Sequence, residues 1–470
     1  MHYIVLLLKH GKTPYKQIYD LNMPGSYLTE RWAIDIFGSG NLGWRLYEFT
    51  LLGLMTLAMI VIAKPYDWLA GLFSGVMFAL LHGTEGPMNA AQRDEVLTVL
   101  VFVGFALLVV AIRHVLPVLM AGCGFALGIA ILIKPTVLPL AFVLILVPIW
   151  VARRPHPSRW RYVLFGVAGL AVAFSLALQM LLPHHALGPF LFILERVVPY
   201  YATMAHPSFL MIFKASLPRT FLLYAPLAVL LALTSRQPAD WTMWLIRAGV
   251  LFGAVSYFVQ GKGYTYHRYL FLAFALLWIG LELTSAMRQS DWRRDAAAVG
   301  LAFAVLLMIP FNAVKVAHRQ YTNVFADQLQ RDLMTIGGHQ LTGHAQCLDM
   351  VSGCFTAFYR LDIVQSTPFP GDTLFFATDN SSIVTYYRNI FWDEIHQNPP
   401  KVIVLGNEWY AKDTYSFNKL NAWPQFRDYL NSAYDLRFAR YLGLFDGNEI
   451  AYRIYVLKDT AASGPVATLQ

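Results

Sequence analysis

Charge is scarce in this chain. Only 14% of its 470 residues are Asp, Glu, Lys or Arg, and the 28 acids are outnumbered by 36 bases. Soluble domains carry about 25% charged residues. With a mean hydropathy of +0.48, a single water-soluble globule is excluded. Cysteine is scarcer still, three in all, which rules out a disulfide-built scaffold. The first 43 residues hold no span: Met1–Leu8 is too short for one, Lys9, Lys12 and Lys16 follow it, and no signal-peptide cleavage pattern is seen. The last third has no glycine-rich phosphate loop and no cluster of metal-ligand residues.

What the chain has instead is ten apolar stretches, near 44–63, 67–82, 95–112, 115–133, 135–151, 161–182, 220–235, 243–260, 267–287 and 296–314. A bilayer core about 30 Å thick takes about 20 apolar residues per helix, so these read as membrane spans. Arg153-Arg154-Pro-His-Pro-Ser-Arg159-Trp-Arg161 and Met287-Arg288-Gln-Ser-Asp-Trp-Arg293-Arg294 fall on one face, with Lys64, Arg113 and Arg236. The positive-inside rule makes that face cytoplasmic. The basic balance of +8 is then membrane topology and needs no nucleic acid.

The opposite face collects the unusual residues. It holds Tyr19-Asp20-Leu-Asn22-Met-Pro24-Gly25, the loop His82 to Glu95 with Glu85, Gln92, Arg93 and Asp94, and Lys134-Pro135. It also holds the long loop 183–218 and Gln260-Gly-Lys262-Gly-Tyr264-Thr-Tyr266-His267-Arg268. Ionisable residues gathered at helix ends mark a functional site by default. Bland readings stand beside that one. Arg93, Lys262 and Arg268 also suit snorkelling anchors, Tyr264, Tyr266 and Tyr269 suit an aromatic belt, and Asp94 and Glu95 suit a helix start.

The chain therefore reads as a polytopic α-helical membrane protein with a C-terminal extracytoplasmic α/β domain. Residues 1–43 form an outer loop with an interfacial helix at 25–37, which sets Trp32, Ile36 and Phe37 against lipid. An exported N-terminus with no preceding span implies that a first span is missing. Residues 44–315 are the membrane domain, 316–460 the α/β domain and 461–470 a disordered tail. In the α/β domain, strands are expected at Thr373–Ala377, Lys401–Leu405 and Ala451–Leu457, and helices at 322–336, 390–397 and 424–433. Cys347 and Cys354, outside the cytoplasm, are expected to be disulfide-bonded; Cys123 lies within a span as a packing residue. No residue is assigned as a metal ligand.

Pro14-Tyr15, Tyr19-Asp20, Asn22-Met-Pro24, Phe37-Gly38 and Trp44-Arg45 together resemble the first outer loop of the GT-C glycosyltransferases. The protein mannosyltransferase and aminoarabinose transferase-like group (family 39-like) reads G-x-P-Y-x-D…D-x-K-P-P…F-G…R there. Gln92-Arg93-Asp94 and Lys262-Gly-Tyr-x-Tyr-His267 resemble its bacterial members, and the likeness covers about residues 10–315. Where the family has the lysine of D-x-K-P-P, this chain has Asn22. The family's usual catalytic acid follows its first span, ahead of the point where this chain begins, and Asp20 is the nearest acid to that place.

The resemblance implies an inverting transferase that moves a sugar from a polyprenyl-phosphate donor to a lipid, glycan or protein acceptor at the outer face of a bacterial inner membrane. Asp20, Asp94 and Glu85 are then the candidate catalytic carboxylates. Arg93, Lys262, His267 and Arg268 are the candidates for the donor phosphate. Asn22, Gln92, Tyr264, Tyr266, Glu195 and Arg196 line the substrate loops; the last two equally suit an interfacial helix. Membrane lipid and the lipid-linked donor are the implied partners. No permanently bound cofactor is expected, and a divalent metal is left open. Two other classes fit the topology: a transporter or flippase of a lipid-linked sugar, and a non-catalytic membrane assembly protein. A transporter would carry ionisable residues at the bilayer midplane and repeated halves, and neither is visible in the sequence.

Topology is directly checkable. On a cysteine-free background in intact cells, a cysteine at position 380 should react with an impermeant thiol reagent and one at 157 should not. The reverse pattern would invert the orientation.

Overall fold

The computed structural model describes residues 1–86, 89–152, 156–204, 207–218, 221–235, 240–318, 323–350, 352–445 and 448–458. Arg153-Arg154, Arg236 and the tail 461–470 lie outside them. In chain order the first helices are α1 (His2–Lys9), α2 (Pro24–Phe37), α3 (Asn41–Ala63), α4 (Trp68–Glu85), α5 (Arg93–Arg113) and α6 (Leu119–Ile133). There follow α7 (Leu138–Leu146), α8 (Pro148–Val151), α9 (His156–Leu181), α10 (Leu187–Phe192), α11 (Val198–Thr203) and α12 (Phe209–Ser216). The membrane-type helices close with α13 (Phe221–Leu233), α14 (Trp241–Gln260), α15 (Tyr269–Met287), α16 (Trp292–Phe303) and α17 (Ile309–Ala317).

Every one of the ten apolar stretches is helical, but they are not ten equal spans. Among the described residues, six helices are long and apolar enough to cross a membrane: Asn41–Ala63, Arg93–Arg113, Arg159–Leu181, Trp241–Gln260, Thr265–Met287 and Trp292–Ala317. Leu119–Ile133, Pro135–Val151 and Tyr224–Leu233 are shorter. Proline explains one case. Pro135, Pro139 and Pro148 each lack an N–H, so the stretch 135–151 runs as a 3-10 turn followed by α7 and α8. Large apolar side chains such as Phe49, Leu57, Phe142, Leu164, Leu251 and Leu306 are exposed along these helices. Such a surface suits lipid and not water.

By contacts the chain divides into two units. One contains residues 22–180 and 206–321; the other contains 1–21, 181–205 and 322–470. In the helical unit, α5 and α15 are the most buried spans, so the core sits around them. Close backbone approach fixes two of its contacts. A Cβ on Gly25 would lie 2.5 Å from the Leu132 carbonyl carbon, so the start of α2 is pressed onto the end of α6, one residue before Lys134. A Cβ on Gly169 would lie 2.0 Å from the Ala121 carbonyl oxygen, which draws α9 onto α6 as small residues do between membrane helices. At one end of the unit, Asp67 caps α4 and receives Arg288 Nη2 at 3.0 Å; Asp240 caps α14 and receives Arg113 Nη2 at 3.2 Å.

The other unit adds α18 (Val324–Ile336), α19 (Cys354–Arg360), α20 (Ser382–Gln397) and α21 (Pro424–Ala433). Its main strands are β1 (Ala345–Leu348), β2 (Val402–Gly406), β5 (Tyr434–Phe445) and β6 (Asn448–Leu457); β3 (Glu408–Trp409) and β4 (Thr414–Tyr415) form a separate pair. The four-stranded order is β1-β2-β6-β5, with β1 parallel to β2 and the rest antiparallel. Both β1 and β2 are buried throughout, which is why they read as unbroken apolar runs. The expected strand at Thr373–Ala377 is a turn. Its carbonyls are satisfied by side chains instead of a ladder: Arg388 donates to Phe375 and Ala377, and Trp409 Nε1 to Phe376.

Segments distant in sequence complete this unit. The Tyr3 hydroxyl accepts from Gln365 N at 2.9 Å and its ring stacks on Phe355. Tyr19 stacks on Phe369, Tyr15 packs on Phe190, and Tyr201 stacks on Tyr410. The cut in contacts thus falls after Leu21 on the N-terminal side.

Cys347 in β1 and Cys354 at the start of α19 face each other with Cα atoms 6.3 Å apart. Unreduced peptide mass spectrometry should find them linked, and reduction should cost about 2–3 kcal/mol by loop closure. Two free thiols in freshly alkylated protein would refute the link.

Candidate functional site

The first turn of α5 organises the helical unit's polar end. Gln92 precedes it and its Oε1 accepts from Arg93 N. Asp94 and Glu95 follow in that first turn, where the helix dipole favours negative charge. Consecutive helix residues point about 100° apart. The two carboxylates therefore enter different surroundings, and both are buried.

Asp94 enters a cationic one. Lys134 Nζ donates to Asp94 Oδ1 at 2.5 Å, and Arg93 Nε lies 3.7 Å from Oδ2. Arg93 is steered by Asn22, whose Oδ1 accepts from Arg93 Nη1. Seating α2 on α6 through Gly25 brings Asn22 and Lys134 to this place. Burial pulls the Lys134 ammonium below the usual lysine range; Arg93 adds to that shift and Asp94 opposes it. Asp94 Oδ2 has no hydrogen-bond partner among the described residues.

The loop after α14 supplies the next cation. Gly261 caps α14 in the left-handed region, φ +63°, and Gly263 has φ +70°. Side chains rarely adopt either conformation, and the pair turns the chain tightly around Lys262. Burial lowers the pKa of Lys262. Tyr264 and Tyr266 stack on each other, and both meet the His267 ring edge-on, at 5.4 and 4.7 Å between centroids. His267 is within electrostatic reach of Lys134, Asp94, Arg93 and Lys262. Its Nδ1 has no hydrogen-bond partner among the described residues. Around Asp94, Lys134 and Arg93 are the two cations beside the carboxylate among the described residues.

Glu95 enters an acidic one. Glu48 of α3 and His82 of α4 meet it there, with His82 Nε2 at 2.5 Å from Glu48 Oε1 and 3.4 Å from Glu95 Oε2. His82 Nδ1 lies 2.8 Å from the Tyr269 hydroxyl, which donates to Glu85 Oε2 at 2.9 Å. Glu85 is also held by Arg268 Nη2 at 2.5 Å, and Arg268 Nη1 donates to the Ala215 carbonyl. Arg268 and Glu85 are thus a buried, mutually neutralising pair. As a brace between α4 and the start of α15, Arg268 has its guanidinium committed within the protein.

The residues proposed from sequence divide accordingly. Asn22, Gln92, Arg93, Asp94, Lys262, Tyr264, Tyr266 and His267 belong to the polar end of the helical unit, and Glu85 and Arg268 lie beside them as a pair. Asp20, Glu195 and Arg196 belong to the other unit. Asp20 Oδ1 accepts from Leu21 N at 2.8 Å, and Glu195 and Arg196 are exposed on a π-helical turn, Ile193–Val197. Sequence reasoning left Lys134, Glu48 and His82 out of the site. Lys134-Pro135 was visible as a charged helix stop on the right face; Glu48 is a lone acid in an apolar stretch.

No protein-family profile matches the chain, and no curated protein does. Its structure is similar to the crystal structure of ArnT from Cupriavidus metallidurans bound to undecaprenyl phosphate, with a TM-score of 0.49 and 13% identity, over 92% of this chain and 87% of that one. It is also similar to the apo oligosaccharyltransferase of Archaeoglobus fulgidus, with a TM-score of 0.44 and 11% identity, over 86% of this chain and 65% of that one. Both are GT-C membrane glycosyltransferases.

The geometry separates two basic residues that look alike in sequence. Arg268→Ala strands the buried Glu85 carboxylate and should cost about 3–5 kcal/mol of stability. Lys262→Ala removes a side chain from the loop after α14 and should cost less than Arg268→Ala, under about 1 kcal/mol. Unfolding curves of the two purified variants check this. Equal losses would contradict the brace.

Proposed function

We propose that the chain is an inverting glycosyltransferase that takes a sugar from a polyprenyl-phosphate donor at the outer face of a bacterial inner membrane. The observation that carries the reading is Asp94: a buried carboxylate with one oxygen on Lys134 and the other accepting no hydrogen bond among the described residues, with Arg93 Nε 3.7 Å from it. Two basic side chains, Lys134 and Arg93, beside one buried carboxylate suit an anion bound next to it. A lipid-linked phosphate enters from the bilayer with its charge at this level.

In this reading Arg93, Lys134 and Lys262 hold the donor phosphate, and Tyr264, Tyr266 and His267 wall the sugar. Asp94 Oδ2 takes the proton from the acceptor hydroxyl as that oxygen attacks the anomeric carbon. The bond from that carbon to the phosphate oxygen breaks, and polyprenyl phosphate leaves with the electron pair, its charge met by the cations. Inversion follows from a single displacement. Asn22, standing where the resembling family has lysine, aims Arg93 and leaves Lys134 to supply the ammonium.

The transporter alternative needs unbalanced charge at midplane. The ion pair built from inside two long helices is Arg247 with Glu282, 2.9 Å apart, and Trp278 Nε1 also donates to that carboxylate; it is balanced.

Membranes containing the full chain and a radiolabelled polyprenyl-phosphate sugar test the reading through release of polyprenyl phosphate. Asp94→Asn should lower turnover about 10²–10⁴-fold, as loss of a general base does. Lys262→Ala should weaken donor use by about 1.5–3 kcal/mol, the range for hydrogen bonds to charged groups. Wild-type turnover in both variants would refute the assignment.

A further inference from the structure

The charge on the other side of α5 runs the opposite way. Glu48, Glu95 and Glu85 gather there, and Arg268 answers only Glu85. Glu95 is fully buried, and neither of its oxygens has a hydrogen-bond partner among the described residues. A buried carboxylate in that condition is costly, so its surroundings lack a positive centre.

The hydrogen-bond directions say where that centre belongs. Tyr269 has one proton, and it goes to Glu85 Oε2. Its oxygen therefore accepts from His82, which puts the imidazole proton on Nδ1. In the neutral ring Nε2 is then a bare lone pair. It faces Glu48 Oε1 at 2.5 Å and Glu95 Oε2 at 3.4 Å. Three acceptors converge with no donor between them. Protonating His82 would satisfy Glu48 alone and leave Glu95 charged. Protonating Glu95 instead would give the His82 Nε2 lone pair a donor 3.4 Å away and leave Glu48 charged beside it with no cation.

We infer that Glu48, His82 and Glu95 bind a first-row divalent cation of the Zn2+ or Mn2+ kind. One atom from each residue lies within 4.8 Å of the others. Ligands on a tetrahedral ion with bonds of about 2.0–2.1 Å are about 3.3 Å apart, close to the His82–Glu95 separation; Glu48 would move back by under about 1 Å. Two carboxylates and an imidazole suit such ions, and a dication cancels the two unanswered charges. The supporting contacts resemble those of metal sites, where the second ring nitrogen is oriented by an outer hydrogen bond: Tyr269 does this for His82. Glu48 Oε2 is oriented by the backbone N–H of Ala91. Ala91 sits at φ +48°, a left-handed conformation costing about 1 kcal/mol or more for a residue with a side chain, which places that N–H on the carboxylate. The ion ties α3, α4 and α5 together behind Asp94, and it is a positioning element with no contact to the donor. The inference does not rest on the transferase reading.

The test is metal content and stability, with no activity assay. Wild-type full-length protein, purified without chelator and dialysed against Zn2+ or Co2+, should hold about one ion per chain by elemental analysis, with the Co2+ form showing the absorption of a low-symmetry site. Glu95→Gln and Glu48→Gln, which keep side-chain shape, should elute as wild type and lose the ion. Zn2+ should raise the unfolding temperature of wild type and not of Glu95→Gln, since an ion that binds only the folded chain stabilises it. After chelation, Glu95→Gln should be the more stable of the two, because its buried charge is gone. Equal metal content in wild type and both variants, or no bound ion and no thermal shift in wild type, would overturn the site.

Discussion

A carboxylate withdrawn from water must be met by positive charge, and the polar end of the helical unit is arranged around that requirement at two neighbouring residues. Asp94 and Glu95 are both buried in the first turn of α5. The helix dipole helps each by a modest amount, about 0.3–1 kcal/mol, far short of the several kcal/mol that burial costs an ion. The rest must come from neighbours, and those come from elements far apart in sequence: Asn22, Lys134 and the 262–267 loop on one side, Glu48, His82 and Tyr269 on the other.

The two surroundings are complementary in sign. Asp94 stands beside Lys134 and Arg93, and Glu95 has no hydrogen-bond partner on either oxygen among the described residues. Each imbalance is what a bound partner removes: an anion on the first side, a cation on the second. A helix packing that only stabilised the bundle would have no reason to leave either. At the opposite end of the same unit Arg113 pairs with Asp240, Arg288 with Asp67 and Arg293 with Asp291.

Much of this was legible in the sequence, for physical reasons that also set its limits. Apolar runs determine helices, so the ten stretches are helical, although six helices among the described residues are long and apolar enough to span; the loop motifs at one face drew attention to Arg93, Asp94, Lys262 and His267. Proline determined where 135–151 breaks. The sequence could not show that Arg268 is spent on Glu85, because residues 183 apart become a pair only through packing. Glu48, a lone acid in an apolar helix, gave no signal at all. In the α/β unit, Thr373–Ala377 has strand-like composition but its backbone bonds go to Arg388 and Trp409. By contrast β5 escaped notice because Arg437 and Arg440 interrupt its apolar residues. Asp20 shared a motif with Asn22, and the boundary between the contact units passes between them at Leu21.

The central claim is that the cations around Asp94 exist to hold a lipid-borne phosphate, and native mass spectrometry reads it without any knowledge of sugar or acceptor. Full-length protein released from detergent should retain a polyprenyl phosphate in preference to the uncharged polyprenol of the same length. That preference should shrink when Lys134 and Asp94 are replaced together by Met and Asn, a change that removes the pair without stranding either charge. Equal retention of the phosphate and the polyprenol by the wild-type chain would contradict the account.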